Sequence, residues 1–432
     1  MIGFAGLSHL GIVSSVAYAS KGFEVVAYDE NPTLCDNLNN QYLEILEPGL
    51  PELLKASLSH VRFTSDVSAL GECNIIFFSE DTPTNEDNLS DLSKIHRLVK
   101  EIVPHAKMDA VLVILSQVPP GFTRKLDEYL RQLYPSNGFK IFCQVETLIF
   151  GQAVERAVHP ERFIVGCLES QHPLPEAYSE LLASFNCPIL PMRYESAELA
   201  KISINMMLVS SISTTNTLAE ICEAINADWF DIVPALKADK RIGPHAYLNP
   251  GLGISGGNLE RDLATVTSLS KEHGTNASVI DAWISNSRHR VNWALKTLHA
   301  QVISHCDDTT IAVWGLSYKP DTKSTKNSPA LDLIEALSPF KVKAYDPQAM
   351  MSNVGLSNFS QVKTASDAIQ EADGLVIMTP WKEFSSIDVP SVLELMRGRV
   401  IVDPFGSLNK TTVSQTNFSL FTLGSSAENQ EV

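Results

Sequence analysis

The most constraining feature of the chain is its first thirty residues, whose order predicts a strand, a glycine turn, a helix and a second strand. The short apolar run Met1–Ala5 leads into the turn GLSHLG at 6–11. A helix is expected from about Ile12 to Ser20, and the next strand ends at Asp29, 23 residues after Gly6. This is the order of a Rossmann dinucleotide-binding unit. It predicts an α/β domain built on a parallel sheet.

The turn departs from the G-x-G-x-x-G fingerprint at its middle position. Gly6 permits the tight turn and Gly11 permits close helix–strand packing, whereas Ser8 replaces the middle glycine and is expected to crowd a pyrophosphate. Asp29 offers a carboxylate to a ribose diol and would repel a 2′-phosphate, so NAD is predicted rather than NADP. The alternative interpretation is a degenerate nucleotide site that holds no cofactor. His9 is interpreted as a loop side chain.

The rest of the chain repeats the α/β alternation on either side of a helical middle. In the first half, strands are predicted at Met1–Ala5, Glu24–Tyr28, Val61–Thr64, Asn74–Phe78, Val111–Leu115, Lys140–Val145 and Phe163–Cys167. A run without Gly or Pro, from about Glu195 to Glu223, predicts one long helix that connects domains or forms a dimer. A second set of strands is predicted at Thr310–Trp314, Lys341–Tyr345, Gly374–Met378 and Arg399–Asp403.

We therefore predict an α/β fold with two Rossmann-like parallel-sheet domains joined by a long central helix or helical domain. The expected boundaries are 1–190 for the NAD-binding domain, 191–300 for a helical dimerisation domain and 301–432 for a C-terminal α/β domain. The polar, acidic segment from about Ser425 to Val432 is expected to be disordered.

Composition excludes several classes of protein. At 432 residues and 44% hydrophobic content, the chain is long enough for two or three globular domains. Its net charge of -17 disfavours nonspecific binding to nucleic acid or to an anionic membrane. The seven scattered cysteines form no CxxC pair, so neither a disulfide framework nor a zinc or other metal site is predicted. No apolar run reaches the ~20 residues of a membrane span, and a cytoplasmic protein is expected.

Several motifs, in one order, resemble those of the UDP-glucose/GDP-mannose dehydrogenases, which are nucleotide-sugar 6-dehydrogenases. The central motif is PGLGISGGNLERD at 250–262, which resembles PGxGFGGxCFxKD. The others are EPGL at 47–50, TPT at 82–84 with DLS at 91–93, SQVP at 116–119, GLSYKPDT at 315–322, YDP at 345–347 and TPWKEF at 379–384.

The resemblance implies an NAD-dependent oxidation of a nucleotide-activated hexose at C6, and it assigns binding residues. The implied cofactor-binding residues are Gly6, Ser8, Gly11, Asp29, Thr82, Pro83, Ser116 and Lys326. The implied substrate-binding residues are Glu146, Thr147, Leu148, Lys201, Asn205, Arg241, Tyr247, Gly253, Gly256, Gly257 and Lys319. Arg241 is expected to reach the substrate phosphate of a neighbouring subunit.

The same resemblance assigns the chemistry. Lys201 and Asn205 are four residues apart, so they project from one face of the long helix. In the family this pair faces the C6 oxygen: the ammonium stabilises an alkoxide and the amide positions water or hydroxyl. Asp262 matches an aspartate that orders a catalytic water, and Glu146 matches a glutamate implicated in acid–base work. The alternative interpretation, without a catalytic role, is that Lys201 is an exposed lysine and Asn205 a half-buried polar residue.

Asn258 occupies the position of the family's cysteine, which forms a covalent thiohemiacetal during the second of two oxidations. An amide cannot supply a thiolate. We expect Asn258 to act as a helix N-cap or to orient the substrate, since Asn is a favoured N-cap residue. Further departures fall at ligand contacts: Gln117 and Phe150 replace a threonine and a second glutamate, and Phe405 lies where the family has an arginine.

Three hypotheses are consistent with these residues. The first is an NAD-dependent nucleotide-sugar 6-dehydrogenase, a homodimer favouring a UDP-sugar, that stops at the aldehyde or completes the second step without covalent catalysis. The second is a catalytically silent nucleotide-sugar binder or regulatory partner. The third is a hydroxyacid dehydrogenase of the 6-phosphogluconate type, against which the second α/β domain argues, because those relatives finish in helices.

Overall fold

The structure, a computed structural model, describes residues 1–85, 88–305, 308–351, 357–388, 390 and 394–425. The chain divides into two compact units, Met1–Ile204 and Asn205–Val432. The division falls inside one long helix.

The first unit is an eight-stranded sheet with helices between its strands. Its strands are β1 (Ile2–Ala5), β2 (Val25–Tyr28), β3 (Val61–Thr64), β4 (Ile75–Phe78), β5 (Val111–Ile114), β6 (Lys140–Gln144), β7 (Phe163–Cys167) and β8 (Ile189–Arg193). Its helices are α1 (His9–Ser20), α2 (Pro32–Asn39), α3 (Leu50–Ser57), α4 (Ser93–Ile102), α5 (Phe122–Leu133), α6 (Ala153–Val158), α7 (Glu176–Ala183) and the start of α8 (Tyr194–Ile225). The strand order is β3-β2-β1-β4-β5-β6-β7-β8.

Apolar residues cover both faces of this sheet. Along β4, Phe77 belongs to one core cluster while its neighbours Ile76 and Phe78 belong to the cluster on the opposite face. This is the burial expected of parallel strands covered by helices on both sides. It explains why the central strands are continuous apolar runs, and why polar side chains at this sheet collect at the strand ends.

The second unit contains helices followed by a six-stranded parallel sheet. It continues α8 and adds the helices α9 (Trp229–Ala238), α10 (Gly257–His273), α11 (Ser278–Val291), α12 (Trp293–Gln301), α13 (Pro329–Ala336), α14 (Ala365–Ile369), α15 (Lys382–Ser385) and α16 (Lys410–Ser414). Its strands are β9 (Thr310–Trp314), β10 (Lys341–Tyr345), β11 (Phe359–Gln361), β12 (Gly374–Ile377), β13 (Val400–Val402) and β14 (Ser419–Phe421). Their order is β11-β10-β9-β12-β13-β14.

The predicted fold class is confirmed: along the chain, a largely parallel sheet precedes a helical middle and a parallel sheet follows it, and the predicted long helix is α8, of 32 residues. Two details differ. The pair β6–β7 is antiparallel. Helix α1 begins at His9 rather than near Ile12, because Ser8 takes the N-cap position and the turn closes sooner.

The sequence pattern does not predict three strands, β8, β11 and β14, and all three lie at sheet edges. β8 carries Pro191 and is mostly exposed, while β11 and β14 have three residues each. Edge strands have one neighbour and tolerate proline, so their sequences carry a weak strand signal.

Of the C-terminal segment that the sequence predicts to be disordered, the structure describes only Ser425. Ser425 is buried and its hydroxyl donates a hydrogen bond to Asp228 Oδ2 at 3.0 Å. The pairing with Asp228 anchors the chain there. Residues 426–432 lie outside the described residues. The three-domain boundaries stay a prediction. Within the described residues, no helix has both the length and the apolarity needed to cross a membrane.

Candidate active site

The glycine turn after β1 has the geometry that a dinucleotide requires. Gly6 has φ +91°, a conformation that side chains other than glycine rarely adopt. A Cβ added to Gly11 would lie far inside van der Waals contact with the carbonyl oxygen of Gly6. Both glycines are therefore required by the close approach of α1 to β1, and the turn fits a dinucleotide.

Asp29, at the carboxyl end of β2, faces the same turn. Its Oδ2 accepts a hydrogen bond from the backbone N–H of Leu7 at 2.9 Å, and its Oδ1 accepts one from Asn31 at 3.0 Å. The carboxylate is partly exposed and has lone pairs left for a ribose diol. The sequence thus located this acid correctly at the end of β2, where it is held by the turn.

Ser8 connects the glycine turn to the loop after β4. Its Oγ accepts a hydrogen bond from the Asp81 backbone N–H at 2.8 Å and donates to the Ser79 carbonyl oxygen at 3.3 Å. The replacement of the middle glycine thus adds two hydrogen bonds between neighbouring strand ends, a role that the fingerprint alone does not predict.

The other predicted cofactor residues of this unit lie in the same loops. The buried Ser116 hydroxyl donates to the Glu80 carbonyl oxygen at 2.6 Å, and the Thr82 hydroxyl donates to the Gln117 carbonyl oxygen at 2.8 Å. The carbonyl of Pro83 accepts a hydrogen bond from the Asp91 N–H at 2.8 Å. These residues shape the loops beside the turn, mainly through contacts with the chain itself.

Sequence reasoning missed an ion pair at this edge of the sheet. Glu80 is 8% exposed, and its Oε1 lies 2.8 Å from Lys94 Nζ on the first turn of α4. Burial raises the pKa of the Glu80 carboxyl. An acid directly after a strand was the available signal, but its partner fourteen residues later could not be identified without the fold.

Glu146 follows β6 and lies close enough to Lys201 to be stabilised by its charge. Burial raises the pKa of Glu146 to about 7, and the Lys201 ammonium opposes that rise. Among the described residues, its buried Oε1 has no hydrogen-bond partner. A buried carboxyl with such a pKa can take up and release protons near neutral pH.

Helix α8 is held in place one turn before Lys201. The buried Glu198 carboxylate accepts hydrogen bonds from the N–H groups of Gly121 and Thr123, at 2.6 and 2.8 Å, at the start of α5. A carboxylate at a helix N-terminus is a favourable contact. It anchors the segment of α8 that carries Lys201.

Asn205 and Asp262 are in direct contact. The Asn205 Nδ2 donates to Asp262 Oδ2 at 2.5 Å, and both residues are buried. Arg261, 4% exposed, places its Nε 3.4 Å from Asp262 Oδ1. Because an ionised carboxylate only accepts, the Asn205 amide must point its nitrogen at Asp262, which leaves its oxygen free to accept from another group.

The glycine-rich segment before α10 is closely packed against its surroundings. Gly253 and Gly256 have φ of +82° and +84°. A Cβ on Gly256 would lie 2.6 Å from the Tyr318 ring, and one on Gly253 would lie 2.6 Å from Ser287 Oγ. The glycines are therefore required by tertiary packing. Gly257 opens α10 and lies beside the side chain of Lys326.

The predicted N-cap role of Asn258 is wrong. Gly256 is the N-cap of α10, and Asn258 is the second residue within the helix, exposed to solvent. Gly256 has φ +84°, a conformation that glycine adopts readily, and the helix begins two residues earlier than the N-cap preference of Asn suggests. An exposed amide in a first helical turn is placed to contact a ligand, which leaves substrate orientation as the remaining prediction for this side chain.

A second titrating carboxyl lies next to Asn258 in sequence and was missed. Burial raises the pKa of Glu260 to about 7, and the charge of Lys326 opposes the rise. In the described part of the chain, its buried Oε2 has no hydrogen-bond partner. Lys326, predicted to bind the cofactor, is thus paired electrostatically with an acid on α10.

The remaining predicted substrate residues are dispersed within the two units. Arg241 is 89% exposed at its side chain and pairs with Asp239, whereas Tyr247 is 52% exposed. Lys319 Nζ lies 5.8 Å from the Tyr318 ring centroid. Leu148 packs against the first core, and the Thr147 carbonyl accepts from Arg156 Nε at 2.7 Å.

The second sheet repeats the strand–glycine–acid arrangement of the first, but here the chain itself hydrogen-bonds the acid. Gly315 has φ +92° after β9, and Asp346 follows β10 as Asp29 follows β2. Asp346 is 5% exposed and accepts hydrogen bonds from backbone N–H groups, the Ser317 hydroxyl and Trp381 Nε1. Since its lone pairs are used by the chain, this turn has no free acid for a ribose.

Within the second unit, no described cysteine lies beside Asn205 to replace the absent thiol. Among the described residues from 205 onward, Cys222 is the only cysteine, and it packs with Ala219 and Trp229. It lies seventeen residues beyond Asn205 on α8, which corresponds to about 25 Å along the helix. Cys306 lies outside the described residues.

Comparison with known proteins gives matches along nearly the whole chain. The model of the UDP-glucose/GDP-mannose dehydrogenase family, NAD binding domain, matches residues 1–186. The central domain of that family matches residues 195–288, and its UDP binding domain matches residues 312–410. The three matches follow one another in the family's order.

Individual relatives agree with these matches. UDP-glucose 6-dehydrogenase TuaD of Bacillus subtilis is 30% identical over 412 residues, covering 93% of this chain and 88% of the relative. UDP-glucose 6-dehydrogenase of Rickettsia bellii is 28% identical over 434 residues, covering 98% and 99%.

Solved structures share the fold. A UDP-D-ManNAc dehydrogenase from Pyrococcus horikoshii has a TM-score of 0.84 at 24% identity, covering 98% of this chain and 99% of its own. A UDP-glucose dehydrogenase from Pyrobaculum islandicum has the same TM-score and identity, with coverage of 98% and 97%.

Proposed function

The chain belongs to the UDP-glucose/GDP-mannose dehydrogenase family, and from this premise we propose that it oxidises the C6 alcohol of a UDP-sugar. Its N-terminal domain is the NAD-binding domain of the family, and NAD is its cofactor. The observation that carries the proposal is the buried Asn205–Asp262 hydrogen bond, one helical turn beyond Lys201 on α8.

Lys201 stabilises charge at the reacting alcohol, and Asn205 positions it. Bound NAD supplies the hydride acceptor. The Lys201 ammonium stabilises the negative charge that grows on the alcohol oxygen as its proton leaves. Asp262 fixes the Asn205 amide through Nδ2, so that the Asn205 oxygen accepts from the hydroxyl or from a water. The amide is thus oriented before the substrate arrives, which favours the reacting geometry.

Glu146 receives the proton in this proposal. Its pKa of about 7 leaves a substantial fraction of the carboxylate ionised at neutral pH, and the adjacent Lys201 charge favours that form. The proton passes from the alcohol to Glu146, directly or through one water. Glu146 and Lys201 therefore divide the work between proton acceptance and charge stabilisation.

Asn258 restricts the fate of the aldehyde that the first oxidation forms. No thiohemiacetal forms on an amide, so the aldehyde is either released or oxidised as its hydrate. The release of aldehyde predicts one NADH per sugar, and oxidation of the hydrate predicts two with free uronate.

A silent binding protein is the second candidate. It is favoured by substitutions at ligand positions, namely Ser8, Gln117, Phe150, Asn258 and Phe405. Two of these side chains are used by the fold: Ser8 binds the Asp81 amide, and the Phe150 ring packs 4.3 Å from the ring of His9. In that role, the chain would bind a nucleotide-sugar and NAD without turnover.

We also propose a homodimer through α8. Met207, Leu218, Ile221 and Ile225 are 40–70% exposed, and the last three recur at intervals of three and four residues along the helix. That spacing is the seam of a helix that packs against a second helix. A second copy of the chain would cover it, and Arg241, 89% exposed, is available to a neighbouring subunit.

The proposal is tested by incubating the protein with NAD and a panel of UDP-, GDP- and CDP-sugars, while following NADH and product mass. Turnover of a UDP-sugar is expected, and it should fall by more than ~100-fold in Lys201→Met. The exposed Lys237→Met is a matched control that should retain activity. Binding of a UDP-sugar by calorimetry without NADH from any member of the panel would support the silent binder and refute the enzyme.

A further inference from the structure

The carboxylate of Glu80 lies against the glycine turn. Glu80 is the second residue after β4, and a Cβ placed on Gly6 would be 2.8 Å from Glu80 Oε2 and 3.0 Å from Glu80 Cβ. In a dinucleotide-binding fold, the backbone of this turn and the start of the following helix approach the pyrophosphate. A negative side chain therefore borders the space where negative phosphates are expected.

Further charged groups surround Glu80. Asp29 and Asp81 both act on it with like charge, and Lys94 is the cation that contacts it, at 2.8 Å. The Lys94 side chain is 53% exposed on α4, whereas the Glu80 side chain is 10% exposed. The buried partner is therefore the acid, and its neutralisation depends on a half-exposed lysine.

The hydrogen bonds of the loop hold the acid in this position. Ser8 Oγ accepts from the Asp81 N–H at 2.8 Å, and Ser116 Oγ donates to the Glu80 carbonyl at 2.6 Å. The backbone on both sides of the Glu80 side chain is thus tied to neighbouring strand ends. The loop backbone that carries the carboxylate is therefore held beside the turn.

We propose that Glu80 sets the affinity for the dinucleotide: its carboxylate opposes the pyrophosphate charge, and Lys94 offsets that opposition. In this role Glu80 determines how tightly the dinucleotide binds and takes no part in the chemistry. The inference rests on the NAD dependence given under the proposed function. It makes the Glu80–Lys94 pair, rather than the glycine turn alone, the determinant of how tightly the cofactor binds.

Calorimetry of NAD binding to charge variants tests the inference. Glu80→Gln keeps the side-chain shape and should bind NAD about fivefold more tightly, whereas Lys94→Gln should bind about fivefold more weakly, by Coulomb interaction at the protein surface. The double variant loses one charge of each sign and should lie within about threefold of the wild type. Exposed Glu72→Gln, on the same unit, is the matched control and should leave the affinity unchanged.

Two readouts separate charge from a structural effect. The gap between wild type and Glu80→Gln should shrink as salt rises from about 0.05 to 0.5 M, because salt screens the repulsion. Adenosine carries no phosphate, so its affinity should change by less than about twofold in Glu80→Gln. A structural disturbance of the turn would instead change adenosine and NAD binding together and would be insensitive to salt.

The outcomes distinguish the two proposals. If the wild type binds NAD and Glu80→Gln binds it no more tightly, the role of Glu80 is wrong and the proposed function stands. The same holds if adenosine binding changes as much as NAD binding. If every folded variant fails to bind NAD, cofactor use and the role of Glu80 fall together.

Discussion

Replacing Glu146 with glutamine removes a carboxyl whose burial raises its pKa from 4.5 to about 7. Between those two values the unfolded chain has released the proton while the folded chain retains it. The unfolded state therefore binds fewer protons, and the stability of the folded state falls as pH rises through this window. The direction is opposite to that of a salt-bridged carboxylate, because here the folded pKa is raised.

The magnitude depends on the size of the rise. A pKa raised from 4.5 to about 7 corresponds to a loss of about 3 kcal/mol once both states are ionised, at pH 8. At pH 5 most of that loss has not yet occurred. Glu146→Gln carries no charge to desolvate, so its stability relative to wild type should increase by about 2–3 kcal/mol from pH 5 to pH 8.

The assay is urea unfolding at both pH values, followed by far-ultraviolet circular dichroism. All five tryptophans lie at or beyond position 229, so their fluorescence reports the unit 205–432 in the same samples. The variant should shift the transition of the unit 1–204 and leave the fluorescence transition in place. Exposed Glu128→Gln should change stability by less than about 0.5 kcal/mol at either pH. A difference between Glu146→Gln and wild type that is the same at pH 5 and pH 8 would refute the reasoning.

Three further changes test other parts of the structure. Gly11→Ala places a Cβ against the Gly6 carbonyl, so we expect the free energy of unfolding to fall by more than about 2 kcal/mol. The thermal shift on adding NAD should also disappear. A variant that NAD still stabilises contradicts the packing argument. Arg290→Met leaves the Glu223 carboxylate without its buried cation and should destabilise the second unit by about 3–5 kcal/mol in tryptophan-monitored unfolding. The double variant with Glu223→Leu should recover much of this loss of stability. An unchanged unfolding midpoint for the single variant would contradict the prediction. Asn258→Cys should raise the yield to two NADH per sugar if the wild type stops at the aldehyde; an unchanged ratio shows that the missing thiol is not what limits the reaction.

The central strands could be predicted from sequence because each is buried on both faces. Runs such as Ile75–Phe78 and Val111–Ile114 are apolar without interruption, and they are bounded by polar turn residues. β8 could not be predicted in the same way, since it carries Pro191 at a sheet edge and buries little. The strand signal depends on burial, and burial is lowest at the edges.

In the candidate site, too, some features follow from the sequence and others only from the tertiary structure. Motif resemblance identified Asn205 and Asp262 separately, and only the structure places them in contact. The N-cap expectation for Asn258 is wrong because Gly256, which lies against the Tyr318 ring, begins the helix earlier. A preference of a residue type for a cap is weaker than a tertiary contact that only glycine can accommodate.

The sequence by itself determined the alternation of strands and helices, the glycine turn with its acid at Asp29, and the spacing of Lys201 and Asn205. These features depend on residues within about thirty positions of one another, so the periodicity of the sequence is enough to predict them. Only the tertiary structure decided that Glu80 lies against Gly6 and that Glu146 and Glu260 have pKa values near 7. Those properties depend on which distant atoms exclude water from a carboxyl group, and that is a consequence of packing in three dimensions.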